Sequence, residues 1–362
     1  MKDTIKNIYE WIRRNDRYLS AGALLSGFIV DTLTLRRVDL PLENIIMLTY
    51  FSVVSIGIIV LHIYDTRKLQ SVTVHRVVSL IPLVIQFAFG ALFSGFTVFY
   101  FRSGSLATSW PLIAVLVGLL IANEMLRRHY ARLVLQVSIL FTALFFFLIF
   151  FIPVLLGKMG PWIFLLSGIS ALALVSFFIA ILAYFVPRHV SQSRNFLLYS
   201  IGTVFIGINI LYFTNIIPPI PLSLKEAGVY QRLIKTGRGY IGFHETPSRW
   251  SWIDLFENVN LVEGQALYVY SSVFAPTDID VEVVHHWKHF DEEASRWRSI
   301  NKIPYTIVGG NDRGYRGYSM KQNLMPGNWE VAVETLRGQV IGRILFEISY
   351  VDDQPHLLEY EL

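Results

Sequence analysis

The densest group of chemically capable side chains is His285-His286-Trp287-Lys288-His289. Three imidazoles in five residues raise the question of a metal. On a regular strand, His285, Trp287 and His289 share one face and His286 takes the other. His285 and His289 then stand about 13 Å apart along the chain, too far for one ion unless a turn falls near His289. No metal site is expected here. Two roles fit the face: His285 and Trp287 line a groove that stacks sugar rings, or they are packed side chains.

A second candidate is Gly309-Gly310-Asn311-Asp312-Arg313-Gly314-Tyr315-Arg316-Gly317-Tyr318. It carries no dinucleotide fingerprint, no Walker loop, and it opens no helix. It fits a hairpin loop or bulge. It also fits a ligand loop, in which Arg313 and Arg316 meet an anionic group while Tyr315 and Tyr318 stack on a ring. Asp278, Asp280 and Glu282 offer oxygens for calcium, but without EF-hand spacing. No serine sits in a G-x-S-x-G elbow. Nothing points to a pair of glycosidase carboxylates. No catalytic residue and no cofactor is therefore assigned.

A third set lies within apolar runs, where polar residues are costly and often functional. Asp31 and Arg102 are expected at the same outer depth of the first and third spans, with Arg36, Arg37 and Asp39 nearby. They make either an interfacial ion cluster that fixes helix ends or an outward-facing pocket for a lipid headgroup. Asn123 and Glu124 are expected to reach the inner interface. Gln86, Gln136 and Asn209 suit hydrogen bonds between helices. Gly90, Ala91, Ser94 and Gly95 suit close helix packing.

These residues need elements to place them, and the chain supplies two kinds. Of its 362 residues 53% are hydrophobic and only 16% charged, well below a soluble domain. Up to Leu224 there are 17 basic and 8 acidic residues; from Lys225 onward there are 14 and 19. The basic surplus lies in short loops between apolar runs, which indicates membrane topology and not nucleic acid. The absence of cysteine excludes disulfides, thiol chemistry and cysteine metal sites.

Residues 1–17 are basic with some apolar surface, and suit a cytoplasmic or interfacial segment. Seven runs near membrane-spanning length follow: 18–35, 42–63, 77–101, 108–126, 133–155, 161–186 and 195–217. With a cytoplasmic N-terminus, the inner segments hold 13 basic residues and the outer loops four. That bias supports the orientation. An odd number of crossings then places the rest of the chain outside the cytoplasm, in the periplasm of a bacterium with two membranes. Pro218, Pro219 and Pro221 make residues 218–224 a stiff spacer.

Residues 225–362 change character. The aromatic segment 230–256 suits either docking on the outer leaflet or a core. From Gln265 the apolar period becomes two, in ALYVYSSVF, DIDVEVVHHWKHF and RSINKIPYTIV. Asn328–Thr335 and Gln339–Tyr350 form the clearest hairpin, with its turn at Leu336-Arg337-Gly338. The fold class expected is a seven-helix membrane bundle followed by an all-β extracytoplasmic domain, an antiparallel β-sandwich of immunoglobulin-like kind.

The segments HHWKH, GGNDRGYRGYS and PGNWEVAVETLRGQVIGRILFEI resemble the C-terminal domain of a bacterial family, domain of unknown function 2914. FGALFSGFTVFYFRSGSLATSWP resembles the multi-pass region that often precedes it. The resemblance implies the two-part architecture and brings no activity. The function expected is that of an inner-membrane anchored binding protein. Its expected partners are the lipid bilayer together with an envelope glycan, a lipid-linked intermediate or a membrane protein. The alternative is a membrane-embedded enzyme or transporter that acts on a lipid-linked substrate near Asp31 and Arg102.

Overall fold

The computed structural model describes residues 41–67, 78, 80–103, 114–115, 118, 133–217, 222–237, 239–245, 256–275, 281–307 and 314–362. The chain divides into two compact units, one carrying the long helices and one carrying the strands.

The helices are α1 (Pro41–Arg67), α2 (Ile81–Ser103), α3 (Leu133–Leu156), α4 (Pro161–Phe185) and α5 (Pro187–Phe213). Among the described residues, five helices and not seven are long and apolar enough to cross a membrane. The expected runs 18–35 and 108–126 fall outside the described residues, apart from 114, 115 and 118. The tight connection expected at RSGSLA also falls outside them.

Helix α3 is the axis of this unit. It is the most apolar of the five and most of its length is buried. Phe147 meets Phe51 of α1 at 5.5 Å, and Phe146 meets Phe96 of α2 at 6.3 Å. Phe145 meets both Phe164 of α4 and Phe205 of α5 at 5.7 Å. Gly168 of α4 faces the last contact. A Cβ there would lie 2.9 Å from the rings of both Phe145 and Phe205, so only glycine admits this approach. Helix α5 begins at Pro187, two turns before the expected Asn195, because a first-turn proline has no N–H to lose and its φ is already helical.

The second unit contains β1 (Ser223–Tyr230), β2 (Arg232–Lys235), β3 (Tyr240–Glu245), β4 (Glu257–Leu261), β5 (Leu267–Phe274), β6 (Val281–Asp291), β7 (Arg296–Ile307), β8 (Tyr315–Lys321), β9 (Gly327–Thr335), β10 (Val340–Tyr350) and β11 (Leu357–Glu361). They form three sheets with orders β1-β5-β8, β4-β10-β9-β6-β7 and β11-β3-β2. The five-stranded sheet faces β1-β5-β8 across one apolar core. Trp287, Trp329, Val331, Val333 and Phe346 come from the larger sheet, and Val229, Val269, Val273 and Tyr315 from the smaller. A sandwich core is what period-two patterning produces when two sheets bury their apolar faces on each other.

Two expectations need correction here, and one open alternative is narrowed. The domain is not wholly antiparallel, because β4 pairs in parallel with β10. The spacer is shorter than 218–224, because Leu222 is already fully buried in the core and β1 starts at Ser223. The 230–256 segment is partly core: Tyr230 and Tyr240 join Tyr270 and Leu362 in a second cluster, where β11-β3-β2 makes a third layer. Trp250 and Trp252 lie outside the described residues. The expected β9/β10 hairpin forms, with Gly338 at φ 79° donating its N–H to the Thr335 carbonyl at 2.8 Å.

Candidate functional site

Strand β6 carries the histidines because alternate residues of VEVVHHWKHFD meet two different environments. Val283, His285 and Trp287 point into the sandwich and are fully buried. The groove expected of His285 and Trp287 is therefore replaced by core, since the inward face of a central strand has no solvent side. His289 shares their register, donates its Nε2–H to the Pro326 carbonyl at 3.0 Å, and packs on Trp329 at 4.8 Å. Among the described residues no group of histidines and carboxylates is arranged to hold a metal ion.

His285 is a polar strut between the two sheets. Its Nδ1 lies 2.8 Å from Ser319 Oγ on β8, and its Nε2 lies 2.8 Å from Ser271 Oγ on β5. The indole N–H of Trp287 donates to Ser319 Oγ at 3.0 Å. Assigned from this network, the Ser319 hydroxyl donates to Nδ1 and the Nε2–H donates to Ser271. The Tyr305 hydroxyl, from β7, also bonds Ser271. Its ring lies over Gly317, where a Cβ would come within 2.2 Å. Burial pushes the His285 imidazole down to about 3, so it is neutral, and pushes the Tyr305 phenol well up.

His286, the next residue, points the other way. On the outer face of the five-stranded sheet its Nδ1 lies 3.1 Å and 3.2 Å from the two carboxylate oxygens of Glu334 on β9. Its Nε2 lies 2.7 Å from Ser299 Oγ on β7. A carboxylate can only accept, so Nδ1 carries a proton, and in the neutral imidazole Nε2 then accepts from the Ser299 hydroxyl. Glu334 and His286 are buried, whereas Ser299 is exposed. Lys288 donates to Glu330 at 2.8 Å and lies 3.8 Å from Glu334. Lys302 lies 3.9 Å from Glu334, and Arg343 3.7 Å from Glu330. The β6/β7 register slips between Trp287 and Lys288, pairing Lys302 with His286 but Ser299 with Lys288. The slip inserts Ile300 as an extra residue and brings Ser299 and Lys302 to the same face. Ser299, Glu334 and this slip were not singled out in the sequence.

On the opposite side of the sandwich, β8 alternates Tyr315, Gly317 and Ser319 inward with Arg316, Tyr318 and Met320 outward. Tyr315 is thus core and does not pair with Tyr318 as a stacking platform. Arg316 donates to the Leu362 carbonyl at 3.0 Å. Tyr318 is 42% exposed and Met320 46% exposed. Tyr318 meets Tyr240 at 5.8 Å and Tyr268 at 6.2 Å, and Tyr240 meets the buried Tyr270 at 5.6 Å. A ladder of tyrosines thus runs from the core of the third layer to the surface. Burial raises the Tyr270 hydroxyl to about 12.

Glu245 of β3 fastens the third layer to the sandwich. Its carboxylate accepts from Gln231 Nε2 at 2.6 Å, from the Asn260 N–H at 2.8 Å and from Asn260 Nδ2 at 2.7 Å. Nearby, burial and then the Glu245 charge raise the Glu257 carboxyl.

Asp31, Arg313, Asp278 and Asp280 lie outside the described residues, and Arg102 is described only as part of the backbone of α2. In the helices, Gln136 makes the expected interhelical bond, to His62 Nε2 at 2.9 Å. His62 lies 6.0 Å from His189 of α5, a contact that neither residue's sequence neighbourhood announced. Asn209 instead donates to Phe205 of its own helix at 2.8 Å.

The class these parts define is a chain of long apolar helices joined to a layered β-domain. Residues 280–348, from the start of β6 almost to the end of β10, match a family described as Protein of unknown function (DUF2914). A comparison with curated proteins gave no match. Among solved structures, a β-glucosidase from Listeria innocua in complex with gluconolactone aligns at 17% identity and a TM-score of 0.19. That alignment covers 32% of this chain and only 17% of the β-glucosidase. An immunoglobulin-like protein from Pseudomonas aeruginosa aligns at 7% identity and a TM-score of 0.21, over 35% of this chain and 96% of that one. The Pseudomonas fluorescens alkylpurine DNA glycosylase AlkC, bound to DNA containing an abasic site analog, aligns at 8% identity and a TM-score of 0.22, over 87% and 100%. At these scores none of the three bears on fold detail or function.

Proposed function

We propose that this chain is a multi-pass membrane protein whose β-domain binds a cell-envelope glycan, free or lipid-linked, on the non-cytoplasmic side. The observation that carries the binding role is the Tyr240–Tyr268–Tyr318 ladder, whose outer ring stands exposed beside Met320. Phenol rings held against one another give a rigid apolar face with polar tips. Such a face suits the C–H faces of sugar rings at low entropic cost.

The membrane role rests on five helices of adequate length and composition. The outward placement of the β-domain rests on the loop charges, and with a cytoplasmic N-terminus it requires the apolar runs 18–35 and 108–126 both to cross as well. In an organism with two membranes, the chain then lies in the inner membrane with its N-terminus in the cytoplasm and its β-domain in the periplasm.

Purified full-length protein in detergent should retain soluble cell-wall glycan fragments at micromolar concentration, and Tyr318→Ala should weaken retention at least tenfold without unfolding the domain. No retention of any envelope glycan, or equal retention by Tyr318→Ala, would defeat the proposal.

A further inference from the structure

The outer face of the five-stranded sheet holds a hydrogen-bonded chain that a binding surface does not need. We propose that Ser299, His286 and Glu334 form an acyl-transfer site that hydrolyses small acyl esters such as acetyl substituents. Ser299 is the nucleophile, His286 the general base, and Glu334 the positioning residue.

The parts stand in the required order. Glu334 fixes the Nδ1–H tautomer of His286 through contacts of 3.1 Å and 3.2 Å, which leaves the Nε2 lone pair aimed at Ser299 Oγ 2.7 Å away. The gradient of exposure also fits. The carboxylate is buried beneath the sheet's charged surface, the imidazole is nearly so, and the hydroxyl stands in solvent where an ester can reach it. A purely structural cross-strand pair needs no such order. Lys288 and Lys302 lie 3.8 Å and 3.9 Å from Glu334.

The register slip supplies the fourth part. It carries Lys302, directly across from His286, onto the face that holds Ser299. The Lys302 ammonium provides positive charge for the oxyanion that develops on the ester carbonyl. Because Ser299 sits on the edge strand of an open sheet face, an ester carried on an extended polymer suits it better than an enclosed small molecule.

The step balances with water as the only co-substrate. Ser299 Oγ bonds to the acyl carbon while its proton passes to His286 Nε2. The ester C–O bond breaks and the alkoxide takes that proton to leave as an alcohol. Water then attacks the acyl-serine, gives a proton to Nε2, and releases the carboxylic acid as Oγ recovers the proton.

The site lies on the opposite outer face of the domain from the tyrosine ladder, so it stands or falls independently of glycan retention. The test treats the full-length protein in detergent with a fluorophosphonate probe and with 4-nitrophenyl acetate. Peptide mass spectrometry should place the probe on Ser299. Ser299→Ala, at an exposed position, should fold normally and lose both labelling and ester turnover. His286→Gln should slow labelling at least tenfold, a threshold set below the ~100-fold or more that a positioned base supplies. Glu334→Gln should slow labelling at least tenfold while the near-ultraviolet spectrum stays unchanged. An unlabelled wild type, labelling that survives Ser299→Ala, or a fall below tenfold in His286→Gln overturns the proposal.

Discussion

His285 and His286 are consecutive residues whose rings lie on opposite faces of one sheet and hold opposite tautomers. His285 places both nitrogens on serine hydroxyls inside the sandwich; His286 places one on a carboxylate and one on a serine at the surface. The first joins two sheets and is sealed from solvent. The second aims its lone pair at an exposed hydroxyl. Period two alone separates a strut from a base.

The strut predicts a sharp contrast in stability. His285→Ala removes a fully buried ring and takes one buried hydrogen-bond partner from each of Ser271 and Ser319. It should cost about 3 kcal/mol or more. His286→Ala, which leaves Glu334 beside Lys288 and Lys302 and Ser299 in solvent, should cost less, about 1–2 kcal/mol. Denaturant unfolding followed by tryptophan fluorescence separates the two, and equal losses would contradict the network.

Acid should weaken the β-domain through the same residue. Burial holds His285 at about 3, against 6.5 for a free imidazole. Between those values the unfolded chain binds a proton that the folded domain refuses. The His285 contribution is therefore full above about pH 6.5 and declines as pH falls toward 3, by about 1.4 kcal/mol per unit. Unfolding midpoints measured from pH 7 to pH 4 should show this slope, and His285→Gln should flatten it.

The third layer should detach without unfolding the sandwich. Glu245 accepts three N–H groups, two of them from Asn260 of β4. Glu245→Ala should expose 240–245 and 357–361 to hydrogen exchange while 327–350 stays protected. Uniform loss of protection would show that the layers are one cooperative unit.

In the helices, Gly168→Ala should destabilise the bundle by about 1–3 kcal/mol, because its methyl meets the Phe145 and Phe205 rings. Gly207→Ala, with nothing within 4 Å of its Cβ position, should be neutral or mildly stabilising. Thermal unfolding in detergent distinguishes them.

The orientation can be read with single cysteines, since the chain has none of its own. Glu292→Cys, in the exposed β6/β7 turn, should react with a membrane-impermeant maleimide in intact spheroplasts. Lys68→Cys should react only after lysis. The reverse pattern would invert the whole topology and place the β-domain in the cytoplasm, whereas the same response from both cysteines would remove 108–126 as a crossing.

The sequence made the helices legible because apolar runs of spanning length have few alternatives, and it made β9 and β10 legible because their alternation and Gly338 agree. It could not show β1 to β3. Their pattern is blurred where both faces of a strand are covered, as at Val229 and Tyr230, which are buried on opposite sides of β1. The histidines were conspicuous, but their surroundings were not. Ser299 and Glu334 lie on other strands, and one extra residue at Ile300 decides which side chains meet. Spacing along a chain carries no information about a neighbour that arrives by sheet pairing.

The pairing of β11 with β3, and of β10 with β4, sets an order on synthesis. Early strands of the domain must wait for late ones before their edges are covered. A chain emerging after α5 therefore passes through an interval in which β4 is unpaired and β3, held only by β2, has one edge open to other strands. Cells that make this protein should need a holding chaperone on the side where the β-domain emerges, and truncations that remove β11 should be cleared by proteases there.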